Sequence, residues 1–207
     1  MLTLEVRWFF QYKPFEYPEF FSSSVPVNRR IDWYLPVNTD KCGTKIRGSK
    51  DGGGQSFDTK MRRTDFGILS LGKCEGRVEE WEKWTAEFTN ASGPPKSILE
   101  TTGWHQIEKY RRLRVFRFGD TGIEEVTGDT ENIPESGCHF EMTELHTQGN
   151  AWWTLGFEAY SPTKNLLEIL ECTIKKVLNE DINTGVFTGE KSFAYPAWLL
   201  SNSNFEP

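Results

Sequence analysis

The clearest structural signal lies at residues 44–63, which read TKIRGSKDGGGQSFDTKMRR. Two runs of alternating side chains flank Asp51 and Gly52, and an Asp-Gly pair between such runs is typical of a β-hairpin. Each run places charged residues on one face: Lys45 and Arg47 in the first, and Asp58, Lys60 and Arg62 in the second. The stretch therefore predicts two antiparallel strands with one charged and one largely uncharged face.

Other predicted strands repeat this charged face. The residues concerned are Glu5 and Arg7, Lys109 and Arg111, Glu141, and Glu158. Arg77 and Glu79 share one side of a further predicted strand, but Glu80 and Glu82 occupy its other side, so its register is open. Arg112 and Arg114 also alternate with apolar residues, so either they or Lys109 and Arg111 could form the charged face of this strand. The register of the strand is therefore open too.

Two arrangements explain such faces. An antiparallel sheet commonly exposes one face to water. Alternatively, the strands close into a barrel whose apolar side lies outside, beneath a predicted helix that opens at Ser161-Pro162. Charges inside a barrel must be paired or neutralised by a ligand, such as phosphate on basic groups or a divalent cation on carboxylates. The second arrangement predicts a β-rich α+β fold, an antiparallel β-barrel with helices packed outside.

Composition narrows the class of protein. The chain has 207 residues and a net charge of -6, which favours one domain over residues 1–207 and argues against general nucleic-acid binding. Four cysteines form no C-x-x-C pair and are expected to be reduced packing residues. No apolar run has the length of a membrane span and the N-terminus has no signal-peptide pattern, so a cytoplasmic location and no membrane association are expected.

The order of the motifs resembles the CYTH-like, triphosphate tunnel metalloenzyme superfamily. That family opens with an E-x-E-x-K strand, and the corresponding segment here is Thr3-Leu4-Glu5-Val6-Arg7. The remaining matches follow in order: Asp32-Trp33-Tyr34, Lys45-Ile46-Arg47, Phe57 to Lys60, Arg77-Val78-Glu79, Lys109-Tyr110-Arg111, Phe140-Glu141, Leu155 to Glu158, and Ser192 to Leu199. Each motif is short, and their order along nearly the whole chain carries the resemblance.

The resemblance implies an eight-stranded antiparallel β tunnel that binds a triphosphate with Mg²⁺ or Mn²⁺. It implies a metal-dependent hydrolase of inorganic, thiamine or nucleoside triphosphate, or an adenylyl cyclase-like activity. The expected phosphate-binding residues are Lys45, Arg47, Lys60, Arg62, Arg77, Lys109 and Arg111. The expected metal ligands are Glu5, Glu79, Glu141 and Glu158, and the residues expected to act in catalysis are Glu5, Arg7 and Lys60.

Three departures from the family pattern weaken the expectation of catalysis. Thr3 stands where the first Glu is usual, Tyr160 stands where a second Glu is usual, and Arg7 replaces a Lys. Arginine keeps the charge but not the geometry of lysine. Because two of the losses fall on the metal-holding side, a non-catalytic polyphosphate-binding module is the alternative. A protein-interaction domain that uses the aromatic segment 8–21 is a third hypothesis.

Overall fold

One antiparallel sheet contains every strand that the computed structural model describes, which covers residues 1–14, 20–21, 25–48, 54–88, 94–126, 133–178 and 184–202. The strands are β1 Leu2–Phe10, β2 Asn28–Tyr34, β3 Cys42–Gly48, β4 Gly54–Leu71, β5 Cys74–Glu87, β6 His105–Gly119, β7 Gly122–Val126, β8 Gly137–Thr147 and β9 Asn150–Tyr160. The α-helices are α1 Lys96–Thr101, α2 Leu166–Val177 and α3 Tyr195–Ser201.

The sheet closes into a barrel. Its strand order is β2-β3-β4-β5-β1-β9-β8-β6-β7, and β2 also pairs with β6. Eight strands therefore form a closed antiparallel barrel, and β7 extends the sheet beside the far end of β6. This confirms the predicted barrel with helices outside. β3 and β4 pair as the predicted hairpin arms, with Lys45 opposite Asp58, whereas Asp51 and its neighbouring glycines lie outside the described residues.

The alternation along β1 determines which side chains face the helices. Leu4, Val6 and Trp8 lie on the outer face and join a buried core with Ile169 and Leu170 of α2. Glu5 and Arg7 fall on the opposite face, toward the lumen. The barrel is thus held by an apolar layer between its outer surface and α2, and this layer leaves the interior free for polar groups.

The start of α2 differs from the prediction. The helix begins at Leu166, and the side chain of Asn165 caps it by accepting hydrogen bonds from the backbone N–H groups of Leu167 and Glu168. Ser161 instead accepts hydrogen bonds from the backbone N–H groups of Thr163 and Lys164. A serine hydroxyl can cap a local turn as well as a helix, so the sequence signal placed the helix start too early.

The aromatic segment 8–21 contributes mainly to the core. Trp8, Phe9, Phe10, Phe20 and Phe21 are each at most 4% exposed. These five side chains therefore do not form a partner surface, whereas Tyr12 of the same segment is 54% exposed. Residues 15–19 lie outside the described part of the chain, and the third hypothesis stays a prediction.

Helix α3 closes one end of the barrel. Trp198 is fully buried and stacks on Phe9, with ring centroids 5.2 Å apart, and meets the edge of Trp152. Ile107 and Leu145 belong to the same buried cluster. Because these strand residues lie at one end of the barrel, α3 forms an apolar end wall there.

None of the described helices is both long and apolar enough to cross a membrane.

Candidate functional site

A cavity of about 140 Å³ lies inside the barrel. It brings together nine of the predicted site residues: Glu5, Arg7, Lys45, Arg47, Lys60, Lys109, Arg111, Glu141 and Glu158. They come from six different strands, and their shared inward orientation follows from the alternation of each strand. The charged faces therefore form a lumen rather than a solvated outer surface.

Three predicted residues do not line this cavity. Arg62, Arg77 and Glu79 belong to a separate ion-pair network with Asp40 and Asp65. The distance between the Arg62 guanidinium and the Glu79 carboxylate is 2.5 Å, and the same distance separates Arg77 from Asp65. The register shifts of β4 come after Arg62, between Arg62 and Thr64 and between Asp65 and Gly67. Glu79 lies opposite Glu5 in the β1–β5 pairing, so it keeps the face that alternation predicts and lies beyond the lining of the cavity.

The structure also decides the open registers. Lys109 and Arg111 face the lumen. Arg114 lies outside, where its guanidinium pairs with Glu125 of β7 and stacks 5.0 Å above the ring of Phe116. On β5, Glu79 is buried whereas Glu82 pairs with the exposed Arg63.

Asp32 is the centre of a buried cation cluster at the end of the lumen near α3. Its carboxylate is fully buried and lies 3.1 Å from Arg30, 3.2 Å from Lys45 and 3.2 Å from Lys109. Burial alone would raise the pKa of Asp32, but the neighbouring cations hold it far below its usual range. The Lys109 amine also donates to the hydroxyl of Tyr34 and lies 4.1 Å from the ring centroid of Tyr195.

Asp58 forms a second such centre. Its carboxylate lies 3.0 Å from Arg47, 3.4 Å from Lys83 and 3.9 Å from Lys45, and the hydroxyl of Thr85 donates to it. Lys45 connects the two centres because it pairs with both carboxylates. Five basic side chains therefore share two carboxylates on this side of the lumen, which leaves an excess of positive charge when all five are protonated.

On the wall of the lumen away from Asp32 and Asp58, a glycine leaves room for an arginine side chain. Arg7 of β1 and Glu141 of β8 both lie opposite Gly156 of the intervening strand β9. Arg7 reaches across Gly156 to Glu141, with a distance of 3.0 Å, and Glu141 also pairs with Arg111 at 2.5 Å. A Cβ atom on residue 156 would lie 2.7 Å from the Arg7 Cζ atom. The missing side chain therefore provides the space that the guanidinium occupies.

The predicted metal ligands are already neutralised. Glu5 and Glu158 lie opposite each other on β1 and β9, and the Lys60 amine pairs with both, at 3.2 Å from Glu158. Burial raises the pKa of Glu5 despite Lys60, whereas, against the effect of burial, Lys60 and His139 hold the pKa of Glu158 below its usual range. Glu141 pairs with Arg7 and Arg111, as described above. Among the described residues, no group of three His, Cys, Asp or Glu side chains is arranged to hold a metal ion.

These contacts do not fit a divalent cation. The ammonium group of Lys60 occupies the space between the two carboxylates that a metal would need, and a metal requires several oxygen ligands at short range. The metal expectation therefore finds no support in the arrangement of the described side chains.

The charge balance of the lumen is positive although the chain is acidic. In the part of the chain that the structure describes, eight basic side chains and five carboxylates lie in the lumen, an excess of three positive charges when all are ionised. The basic residues are Arg7, Arg30, Lys45, Arg47, Lys60, Lys83, Lys109 and Arg111, and the acidic residues are Glu5, Asp32, Asp58, Glu141 and Glu158. Such an interior attracts an anion.

Unpaired donors point to the same kind of ligand. The indole Nε1 of Trp81 and the hydroxyl of Tyr195 are buried without hydrogen-bond partners, and both residues line the cavity. An indole N–H can only donate. A ligand rich in acceptor oxygens would satisfy these groups.

Several residues of the site were not assigned a role from the sequence. Arg30 and Asp32 alternate with the apolar Ile31 and Trp33, so the period-2 signal that located Lys45 was available for them, and Asp32 also lies in a motif of the family resemblance. Lys83 lies on the strand whose register the sequence left open, so alternation could not place it. Tyr195 lies in the last motif of the resemblance, but it enters from a helix end, and a strand pattern cannot show that it reaches the lumen.

The chain matches no protein-family model, and no curated protein matches its sequence. The resemblance to triphosphate tunnel metalloenzymes therefore stays a prediction, and the function must be argued from the lumen itself.

Proposed function

We propose that the barrel binds a triphosphate-bearing small molecule through the basic side of its lumen, without a divalent cation. The observation that carries this proposal is the sharing of Asp32 and Asp58 by five cations. Phosphate oxygens would complete the partners of those cations, since lysine and arginine form strong charge-assisted hydrogen bonds with phosphate. The resemblance to triphosphate tunnel proteins agrees with this class of ligand.

A chain of phosphates suits the lumen better than a single anion. The two centres at Asp32 and Asp58 are linked by Lys45, so a ligand with several phosphate groups can contact both centres at once. A single sulfate or phosphate can satisfy only part of the excess charge. Binding should therefore be much stronger for tripolyphosphate than for sulfate.

Metal-dependent hydrolysis and an adenylyl cyclase-like activity stay predictions, and the contacts in the lumen support them less than they support metal-free binding. Both require a divalent cation, and the carboxylates expected to hold it are paired with Lys60, Arg7, Arg111 and Arg62. Release of phosphate that depends on Mg²⁺ or Mn²⁺ would favour hydrolysis over binding alone.

Calorimetry with tripolyphosphate in the presence of a chelator tests the proposal. We expect the wild-type protein to bind, and we expect Arg47→Ala and Lys83→Ala each to weaken binding roughly ten- to hundredfold, because each removes a charged hydrogen-bond donor. Lys175→Ala is the control, since Lys175 pairs with Glu171 on the surface of α2. An affinity that requires Mg²⁺, or one that Arg47→Ala leaves unchanged, would contradict the proposal.

Gly156→Ala should weaken tripolyphosphate binding and also lower stability, because it separates a largely buried ion pair. The new methyl group would displace the end of the Arg7 side chain, which is flexible, and would separate it from Glu141. Loss of one oriented guanidinium is expected to weaken binding about tenfold in the same titration. The matched control is Gly119→Ala, because a Cβ there meets no atom within 4 Å. Equal affinities of the two variants would show that Arg7 does not contribute from its observed position.

A further inference from the structure

Lys45 differs from Lys60, in the same cavity, in its surroundings, and from Lys109 in its exposure. Its amine lies 3.2 Å from the same Asp32 oxygen that Lys109 approaches at 3.2 Å, so two amines share one acceptor atom. Its side chain is 19% exposed and faces the cavity, whereas that of Lys109 is only 3% exposed. Lys45 is therefore the accessible member of a crowded pair of lysines.

The electrostatic environment favours the neutral form of this amine. Burial lowers the pKa of Lys45 to about 8, and Arg30 and Arg47 contribute in the same direction against the opposing effects of Asp32 and Asp58. Lys60, in the same cavity, behaves oppositely: burial would lower its pKa, but Glu158 and Glu5 raise it above the usual value. Burial also lowers the pKa of Lys83 and of Lys109, so a neutral amine is favoured at all three positions and disfavoured at Lys60.

The charged groups that face Lys45 come from every neighbouring element. They are Arg30 and Asp32 of β2, Arg47 of β3, Asp58 of β4 and Lys109 of β6. The two carboxylates hold the amine in place. The cations around it disfavour a further positive charge and offer contacts for a phosphate group. A desolvated lysine beside other cations is a known way to make a nucleophilic amine.

We propose that Lys45 forms a reversible imine with a ligand that carries both a carbonyl group and a phosphate. This inference rests on the proposed function for the recognition of the phosphate, and it adds a covalent site to the lumen. Arg47 and Lys83, both within 3.4 Å of Asp58, are placed to hold the phosphate near the amine.

The reaction needs no further reagent. The neutral Nζ atom attacks the carbonyl carbon, a C–N bond forms, and the proton lost by nitrogen passes to the former carbonyl oxygen. The hydroxyl group then leaves with the second nitrogen-bound hydrogen as water, and a C=N bond remains. Addition of one water molecule reverses both steps and returns the free amine.

Pyridoxal 5′-phosphate is a suitable probe because it carries an aldehyde and a phosphate. The full-length protein would be incubated with it near pH 8, reduced with borohydride and mapped by peptide mass spectrometry. We expect the label on Lys45 at least tenfold above that on Lys60 in the same cavity and on Lys175 on the surface. Tripolyphosphate should protect Lys45, and pyridoxal without the phosphate should label it much less.

Lys45→Arg should lose both the imine absorbance and the dominant label, because a guanidinium does not form an imine. The tripolyphosphate titration of the wild-type protein reports separately on the proposed function. Tripolyphosphate binding by the wild-type protein without selective labelling of Lys45 would overturn the imine and leave the binding proposal intact. Equal labelling by pyridoxal and its phosphate would also overturn the inference, because the phosphate would then play no part.

Discussion

Asp32→Asn is expected to destabilise the protein by about 3–5 kcal/mol, because removing one partner of a buried ion pair leaves the other charges uncompensated. Asp32 is fully buried and lies within 3.2 Å of Arg30, Lys45 and Lys109. Asparagine has nearly the same shape, so the loss would come from the charge rather than from packing. A lower midpoint in urea denaturation, with a fall in melting temperature on the order of 10 °C, would confirm this expectation.

The control for this experiment is Asp120→Asn. The Asp120 side chain is fully exposed and lies 4.0 Å from Lys164, so the same chemical change should have little effect there. Tripolyphosphate should stabilise Asp32→Asn more than it stabilises the wild-type protein, because the anion replaces the missing negative charge. If Asp32→Asn were as stable as Asp120→Asn, the protein would not need the negative charge of Asp32 to hold the three cations in its folded state.

The same carboxylate predicts a dependence on pH. Because the pKa of Asp32 is lowered on folding, its stabilisation is present above the pKa of the unfolded chain, about 4, and is lost as the pH falls below that value. The acid-induced loss of stability should therefore be smaller in Asp32→Asn than in the wild-type protein.

Trp198→Ala is expected to cost about 3–5 kcal/mol, the usual range for removing a buried tryptophan. Trp198 is fully buried in α3 and contacts Phe9 and Trp152, so its removal would leave a cavity at the closed end of the barrel. Urea denaturation would measure the loss. Faster hydrogen exchange of the α3 amides, relative to those of α2, would show that the end wall has loosened.

Leu200→Ala is the matched control, since Leu200 lies in the same helix but is 37% exposed. It should cost far less than Trp198→Ala. If both variants lost equal stability, the helix itself and not the tryptophan would be responsible for closing the barrel.

The lumen combines two properties that usually conflict. Its carboxylates neutralise enough basic groups to let the barrel fold, yet the cations around Asp32 and Asp58 remain in excess. Like charges held in a low-dielectric interior repel one another, so an anion that binds the native state adds stability. A phosphate-bearing ligand can therefore exchange some of the ion pairs of the lumen for phosphate contacts.

Local alternation was enough to predict which side chains share a face. Strands alternate with a period of two as a consequence of backbone geometry, so Glu5 with Arg7, Lys45 with Arg47 and Lys109 with Arg111 could be assigned to common faces from local order alone. Because so many strands paired a charged face with an apolar one, the closed barrel could be predicted as well.

The pairing of those charges depends on the tertiary structure. Lys60 and Glu158 are 98 residues apart in the chain, and their strands β4 and β9 lie three positions apart around the closed barrel. Outside the cavity, the ion pair of Arg62 with Glu79 joins β4 to β5, and α3 brings Tyr195 to the end of the cavity. Such contacts depend on barrel closure and long-range register, which are set by the packing of the whole chain rather than by any local pattern.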